Sequence, residues 1–493
     1  TLAAGFLSGC GDGMLTTRYR AQRDLWKASK LDRQLALQPS RDEALTRRTA
    51  EAYERILREY PAALGAGTSP EGPAVARVRG AAVMALVRLY TQLQTPRKAV
   101  DLLWTERGSF ATDAESGVRV YSGLVQLLSR LGSPDSLALV YGEMPQVLPE
   151  ADDSGNPVTP VLEAPMRQAD VLATAGKEAE ARAVLHSALD YYNRLIGDNA
   201  GKPIQVAAMV QRSSALTRLG RAQEAEAGLL EARGLPQAEV ARGGILYSLG
   251  VLRQEALHRP QEAVAAFREL IRSYPEDDAA PQAALRIGLC LEAAGQPDSA
   301  LASFDRVEEL FGREPEVAAQ ARYLGAKTLA RQGRNTEAAR RLRSISADFP
   351  RTETGLRAPM DLAALYRQTD DRVSEQVALR EATEEYERIV RELGADARQA
   401  EVIMSALDYL ADSRLRLEEW QGAVEAMVRR ADAFPGDARS PLALLQAAAI
   451  QETRLGDRAG SIATLQKLAD RYPSHAMASR IQEKIATLKG AGT

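Results

Sequence analysis

The chain has 493 residues, of which 45% are hydrophobic, 26% are charged and only 5% are aromatic. This composition excludes wholesale disorder, and an apolar fraction dominated by alanine and leucine favours closely packed helices over sheets. The formal net charge of −3 excludes a global attraction to nucleic acid, while two cysteines and three histidines are too few for a disulfide framework or a clustered zinc site.

The first predicted element is an N-terminal targeting segment over residues 1–19. Residues 1–9 are small and apolar, and Leu7-Ser8-Gly9-Cys10 resembles the lipobox of bacterial lipoproteins, a signal that is cut before its cysteine. The resemblance implies that Cys10 becomes the mature N-terminus and carries a lipid anchor, with a charged region expected upstream of the chain. The alternative is a buried apolar N-terminal segment.

From about residue 20 onward, one apolar pattern recurs along the chain at intervals of roughly 37 to 50 residues. In its clearest copy, Ala263, Phe267, Leu270 and Tyr274 are followed by Pro275. This spacing keeps the first four side chains on one face of a helix, and the proline ends that helix. Further copies begin at Thr49, Ala99, Leu137, Ala181, Ala225, Ala300, Ala338, Ala382, Ala423 and Ser461. The copy at Ala423 departs from the pattern, since it has Arg430 where the others have an apolar residue.

A second amphipathic segment precedes each copy and ends in a turn signal. Gly220, Gly295 and Gly333 lie where the C-terminus of a helix favours a left-handed residue. Each unit is therefore predicted to be a helix A, a short turn, a helix B and a proline stop. One such pair cannot bury its apolar face alone, so the pattern predicts an all-α solenoid of about eleven stacked helix pairs. The segment 475–490 is predicted to be its polar capping helix.

The repeat resembles the tetratricopeptide repeat (TPR). Gly288, Ala300 and Phe304 occupy the small, small and aromatic positions of that family's unit. Two further units match through Ala326, Ala338 and Pro350, and through Ala411, Ala423 and Pro435. The family's early tryptophan in helix A is missing and the spacing often exceeds about 34 residues, so the repeats are divergent. The resemblance implies a right-handed α-solenoid, and the alternative is an unrelated solenoid with longer repeats.

The predicted domain boundaries follow the repeats and the segments rich in proline and glycine. They comprise a leader at 1–19, N-terminal TPR-like repeats at 20–150, an insertion or hinge at 151–165, C-terminal repeats at 166–473 and a capping helix at 474–493.

The resemblance also implies where partners bind. In TPR folds the A helices line the concave surface, and their exposed residues contact an extended peptide or a partner helix. By position, the unit 319–338 would present Tyr323, Lys327 and Arg331, and the unit 404–423 would present Asp408, Asp412 and Arg416. For each of these residues the alternative is an ordinary solvated face.

Catalytic chemistry is not indicated by any motif in the chain. His186, His258 and His475 belong to different repeats, and Cys290 lies between two leucines in a predicted A helix, which is typical of a core thiol. We therefore expect no enzyme activity, no cofactor, no metal, no nucleic-acid partner and no small-molecule substrate.

The F-x2-L/I-x3-YP cadence before an alanine-rich helix resembles TPR proteins of the bacterial envelope, such as the lipoprotein of the outer-membrane β-barrel assembly machinery and the periplasmic Tol-Pal coordinator. The resemblance implies a non-enzymatic scaffold or adaptor, anchored through the lipid on Cys10 to the periplasmic side of the outer membrane. Its partners would be other proteins of an envelope complex. The alternatives are a pilotin-like or secretion-accessory lipoprotein and a cytoplasmic TPR regulator.

Overall fold

The computed structural model describes residues 16–37, 42–62, 71–93, 95–110, 114–394, 396–473 and 477–490. Over these residues the chain forms 23 α-helices, three short 3-10 segments and one isolated β-bridge between Ala151 and Pro157, but no strand. The predicted all-α fold is confirmed. In chain order the helices match eleven A–B pairs of the sequence pattern followed by one last helix.

The chain divides into two compact units, Thr1–Leu257 and His258–Thr493. The first unit contains α1 Thr17–Ala36, α2 Glu43–Glu59, α3 Gly72–Gln92, α4 Pro96–Glu106, α5 Ala114–Leu131, α6 Pro134–Val147, α7 Thr159–Thr174, α8 Glu178–Asp198, α9 Pro203–Arg218, α10 Ala222–Gly234 and α11 Arg242–Glu255. The second contains α12 Pro260–Ser273, α13 Ala280–Ala293, α14 Pro297–Phe311, α15 Pro315–Arg331, α16 Asn335–Asp348, α17 Glu353–Gln368, α18 Arg372–Leu393, α19 Ala400–Arg416, α20 Trp420–Ala433, α21 Ser440–Thr453, α22 Arg458–Arg471 and α23 Ala478–Gly490.

The repeated apolar pattern forms the buried stripe of the B helices. In α12, Ala263, Phe267 and Leu270 are fully buried, because positions four, three and four residues apart fall on one side of a helix. The same positions are buried in the B helices α2, α8, α10, α14, α16, α18, α20 and α22, whereas Glu106 of α4 and Leu137 and Tyr141 of α6 are only partly buried. The stripe therefore supplies the core that each helix shares with its neighbours.

Five B helices end at an aromatic residue that precedes a proline. These residues are Tyr60, Tyr274, Phe349, Phe434 and Tyr472, with φ between −120° and −138° and ψ between 47° and 76°. Each still donates its N–H to the carbonyl four residues earlier, at 2.8 Å for Tyr274. The proline disfavours helical φ and ψ in the residue before it, so the helix ends there. The predicted proline stop is confirmed at these five positions.

The turn within a pair places one residue in the left-handed region. Gly220, Gly295 and Gly333 have φ values of 79°, 72° and 76°, as their positions predicted. In two later pairs the same position is held by Asp370 and Glu418, at φ values of 57° and 60°. The turn geometry is therefore kept even where the residue is not glycine.

Within each unit, consecutive helices pack against each other, and A helices also contact the A helix of the next pair. In the second unit this connects α13 to α15, α15 to α17 and α17 to α19. The A helices of 280–416 thus form a continuous row, on which the predicted partner-binding residues lie.

The last helix, α23, covers the end of the second unit. Its buried residues Ile481, Ile485 and Leu488 share a core cluster with Leu465 and Leu468 of α22, as expected of a capping helix. The predicted hinge at 151–165 lies within the first unit, where α6 and α7 on either side of it contact each other. Its role as a hinge stays a prediction.

Candidate partner-binding cleft

Tyr323, Lys327 and Arg331 lie together on one wall of a cleft between α15 and α17. They are four residues apart, which places their side chains on the same face of α15. The cleft has a volume of about 510 Å³ and an apolar floor that includes Ala326 and Leu365. The structure therefore brings the first predicted set of residues into one concave site.

The opposite wall adds a carboxylate that sequence reasoning did not identify. Asp361 on α17 lines the cleft and pairs with Arg357, whose Nε lies 3.1 Å from the Asp361 Oδ2 atom. Burial raises the pKa of the Asp361 carboxyl, and the positive charges of Arg357 and Lys327 counteract only part of this effect. Asp361 is thus a half-buried acid between two cations.

The aromatic ring of Tyr323 lies between these two cations. The Arg357 guanidinium is 4.5 Å from the ring centroid, and the Lys327 Nζ atom is 5.6 Å from it. Such contacts hold the ring and both cations in fixed relative positions. On the next A helix, Tyr409 stacks on Tyr386 with centroids 5.7 Å apart, and Arg357 opposes the rise in the pKa of Tyr409 that burial causes. The cleft itself is lined by residues between Tyr323 and Thr369 and not by the helix of Tyr409.

The two predicted cations, Lys327 and Arg331, differ in whether they already have an ion-pair partner within the chain. Arg331 forms an ion pair with Glu292 on α13, with 2.5 Å between its Nη1 atom and the carboxylate, and Thr328 donates a hydrogen bond to the same carboxylate. Among the described residues, Lys327 has no carboxylate within ion-pair distance. Lys327 is therefore the cation best placed to meet a charge on a partner.

The second predicted set lies outside this cleft. Asp412 and Arg416 pair with each other on α19 at 2.9 Å. Asp408 pairs with Arg430 at 2.5 Å and with Arg439 at 3.2 Å. These contacts are all intramolecular, and the partner-binding role of the three residues stays a prediction.

Arg430 is the centre of a buried ion cluster, and it explains the departure from the sequence pattern. Its side chain is fully buried, and it donates hydrogen bonds to Ser440 at 2.9 Å and to Asp437 at 2.8 Å. Burial would raise the pKa of Asp437, but hydrogen bonds from Arg430 and Arg439 outweigh it and lower the pKa to about 2. Burial raises the pKa of Asp408, which the same arginines oppose. An arginine at a core position was itself a signal that acidic partners lie nearby.

Other candidate groups lie elsewhere or outside the described residues. Cys290 is fully buried in α13, as predicted, and burial raises the pKa of its thiol to about 11. Cys10 and His475 fall outside the described residues. In the part of the chain that the structure describes, no three His, Cys, Asp or Glu side chains are grouped to hold a metal, and no helix is apolar and long enough to cross a membrane.

Family profiles of the tetratricopeptide repeat match residues 251–315, 293–348 and 442–475. Among solved structures, the chain is similar to YrrB, described as a TPR protein with an unusual peptide-binding site, at 18% identity over 42% of this chain and 94% of that one, with a TM-score of 0.27. A TPR protein from Parabacteroides merdae is 13% identical over 57% of this chain and 98% of that one, with a TM-score of 0.28. The APC/C hetero-tetramer Cut9-Hcn1 is 12% identical over 95% of both chains, with a TM-score of 0.26. No curated protein matches the chain.

Proposed function

Since residues 251–348 and 442–475 of this chain form tetratricopeptide repeats, which mediate protein–protein interactions, we propose that it is a non-enzymatic scaffold that binds its partner in the cleft between α15 and α17. The matched repeats include both α15 and α16, which supports a partner site beside α15, because the A helices of TPR folds offer a surface to peptides.

The observation that carries this proposal is the combination of an apolar floor with ordered, partly unpaired charges. Ala330 and Ala364 provide partly exposed apolar surface beside the buried Ala326 and Leu365, while Lys327 and Asp361 offer a cation and an anion on opposite walls. A peptide could bury apolar side chains on the floor and place one acidic group near Lys327. Binding sites of this kind combine apolar burial with a few oriented polar groups.

The finer proposal is an outer-membrane lipoprotein that faces the periplasm and holds parts of an envelope complex together. It is supported by the lipobox-like Leu7-Ser8-Gly9-Cys10 and by the resemblance to envelope TPR lipoproteins. Lipid labelling of the chain with its native upstream sequence, compared with Cys10→Ala, tests the anchor. An unlabelled wild-type chain would favour the cytoplasmic alternative without affecting the cleft.

The cleft is tested with Lys327→Glu and the matched control Lys98→Glu. Both lysines are exposed and lie over a tyrosine ring, Lys98 at 6.0 Å from Tyr90 and Lys327 at 5.6 Å from Tyr323. Each variant therefore reverses one charge and removes one cation–π contact of similar size. Proteins crosslinked to the full-length chain are quantified by mass spectrometry for both variants and the wild type.

We expect Lys327→Glu to reduce partner recovery by about fivefold or more, because a rim charge would then repel an acidic group of the partner. Lys98→Glu is expected to leave recovery unchanged, and both variants should keep the wild-type melting temperature. Equal recovery with both variants would show that partners do not use the cleft.

A further inference from the structure

A second groove lies on the B helices, away from the cleft on the A helices. It runs between α12 and α14, with α13 beneath it, and has a volume of about 660 Å³. We call it the B-face groove and define it by Ile271, Ile287, Leu291 and Leu310, which form its apolar surface, together with Arg268, Arg272 and Arg306. Leu310 is 51% exposed, so this apolar surface is open to a binding partner.

The three arginines of the B-face groove are exposed and have no partner among the described residues. Arg268 and Arg272 are one turn apart on α12, and Arg306 lies across the groove on α14. None of the three forms an ion pair or hydrogen bond with another described residue. The groove therefore joins apolar surface to three uncompensated positive charges.

The same repeat pattern forms a comparable groove, of about 350 Å³, between α16 and α18. Arg343 lies six residues before Phe349, as Arg268 lies six residues before Tyr274. Counted from the left-handed turn residues Gly295 and Asp370, Arg306 and Glu381 each lie eleven residues later, and Leu310 and Glu385 each lie fifteen residues later. The two grooves can therefore be compared position by position.

The difference between the two grooves lies in their acidic residues. Glu381 and Glu385 occupy the positions that Arg306 and Leu310 occupy in the B-face groove. Glu381 lies 3.7 Å from Arg343, and Glu385 pairs with Arg388 at 2.6 Å. The groove between α16 and α18 thus neutralises its own arginines, whereas the B-face groove has Arg306 and Leu310 where the neutralising carboxylates would be.

The comparison of the two grooves shows which feature of the B-face groove indicates a partner. Arginine is abundant throughout the chain, and both grooves contain it, so its presence alone identifies no partner. The absence of neutralising carboxylates in the B-face groove does indicate the kind of partner. A guanidinium group binds a carboxylate through two parallel hydrogen bonds and prefers that geometry over a single contact. The apolar surface between the arginines in turn selects a segment that also carries apolar side chains.

We propose that the B-face groove is a second protein-binding surface, which takes an acidic segment of a partner with apolar side chains between its carboxylates. The site is distinct from the cleft, since it uses α12, α13 and α14 and shares no residue with it. One chain could then hold two partners, or two segments of one partner, at the same time.

The test uses a fluorescein-labelled 16-residue helical peptide with leucines on one face flanked by glutamates, and a second peptide with glutamine in place of every glutamate. Binding to the full-length chain is measured by fluorescence anisotropy at low salt. The main variant is Ser299→Glu with Ser303→Glu, which adds two carboxylates to the lining of the B-face groove. The reciprocal variant is Glu381→Ser with Glu385→Ser, and Arg268→Gln with Arg272→Gln and Arg306→Gln is a further variant.

We expect the serine-to-glutamate variant to bind the glutamate peptide about tenfold more weakly than the wild type, because its arginines become internally paired. The arginine variant should lose binding to a similar extent, and the reciprocal variant should bind more tightly than the wild type. The glutamine peptide should bind weakly to all of them. Lys327→Glu should not change binding, which distinguishes this groove from the cleft.

The proposal is overturned if the wild type and the serine-to-glutamate variant bind the glutamate peptide equally at matched melting temperatures. It is also overturned if both peptides bind with the same affinity, since apolar contact alone would then explain binding. A third contrary outcome is binding of the wild type to phosphatidylglycerol vesicles, but not to the peptide, with loss of vesicle binding in the serine-to-glutamate variant. That result would assign the groove to an anionic membrane surface.

Discussion

The turn from α12 to α13 and the turn from α20 to α21 have the same backbone hydrogen bonds, but different side chains are buried beneath them. In the first, Asp277 donates its N–H to the Tyr274 carbonyl at 3.1 Å, and in the second, Asp437 does the same to Phe434 at 3.1 Å. Each aspartate also accepts a hydrogen bond from the backbone two residues later, at 2.9 Å in both turns. The aromatic–proline stop and the aspartate therefore define the turn.

Under this shared turn, the side chains differ. The first turn buries Leu270 and Ala280, whereas the second buries Arg430 and Ser440 at the same positions. An apolar contact and a hydrogen-bonded ion cluster thus support the same joint between pairs. The comparison teaches that the backbone turn does not depend on which of the two is buried, although the sequence pattern predicted an apolar residue at this position.

The helix pairs next to these turns differ in two further ways. In the pair α13–α14, Gly288 faces the ring of Phe304, while in the pair α19–α20 the matching residues are Ala411 and Met427. The left-handed residue of the turn is Gly295 in the first pair and Glu418 in the second. These differences can be exchanged one at a time, which makes each of them testable.

The largest effect is expected from Arg430→Ala. It leaves the buried ends of Asp437, Asp408 and Ser440 without their common partner, and removing one member of a buried ion cluster costs about 3 to 5 kcal/mol. The double variant Arg430→Leu with Ser440→Ala copies the first turn and should lie within about 1 to 2 kcal/mol of the wild type. The free energy of unfolding of both variants is measured by urea denaturation, with circular dichroism as the signal.

In both variants Asp408 and Asp437 keep Arg439 as a partner, at 3.2 Å from each. The double variant is expected to cost less because leucine refills the buried space that Arg430→Ala leaves as a cavity. If Arg430→Ala is as stable as the wild type, the ion cluster does not contribute to the joint. If the double variant is as unstable as Arg430→Ala, an apolar contact cannot replace the cluster in this turn, and the two turns are not equivalent.

The next effect is expected from Gly288→Ala. A Cβ atom at this position would lie 2.3 Å from the nearest ring atom of Phe304, so the ring must shift within a packed core. Overpacking of this kind costs about 1 to 3 kcal/mol. Adding Phe304→Met copies the pair α19–α20, where Ala411 packs with a flexible methionine at the position of Phe304, and should recover part of the loss.

Thermal unfolding of Gly288→Ala, the double variant and the control Ala411→Gly measures this effect. The control removes a methyl group at the matching position of the other pair, and it should cost about 1 kcal/mol through helix propensity. Gly288→Ala at wild-type stability would mean that the ring of Phe304 moves without cost. No recovery in the double variant would mean that the second pair tolerates alanine for a reason other than methionine.

The fold was predictable from the sequence because its signals are local. The steps of four and three residues that lead to Tyr274, and the proline after it, are read within one helix, and Gly295 marks a turn without any neighbour. The shared helix face of Tyr323, Lys327 and Arg331 was predictable in the same way, since it follows from their spacing on α15, while their partner-binding role stays a prediction.

The opposite wall of the cleft was not predictable in this way. Arg357 and Asp361 belong to the next A helix, and Tyr409 to the one after it, so their proximity depends on how successive pairs stack. The partners of Arg430 were missed for the same reason, since Asp408 and Ser440 belong to two different neighbouring helices. Side-chain chemistry between repeats therefore required the structure, whereas the repeats themselves did not.

The smallest effect is expected from Glu418→Gly. Glu418 has a φ value of 60°, a region that costs a residue with a Cβ atom about 1 kcal/mol, and its exposed side chain has no hydrogen bond or ion pair with another described residue. Glycine should therefore raise the free energy of unfolding by about 0.5 to 1 kcal/mol, and Gly295→Ala should lower it by a similar amount. The two changes have opposite signs because Glu418→Gly introduces the glycine that the α13–α14 turn has, whereas Gly295→Ala introduces a Cβ atom such as the α19–α20 turn has. Urea denaturation of both variants measures the pair of effects. A Glu418→Gly chain that is less stable than the wild type would show that entropy lost on folding the glycine outweighs the relief of backbone strain, and that the turn of α19–α20 differs from that of α13–α14 in more than its residue.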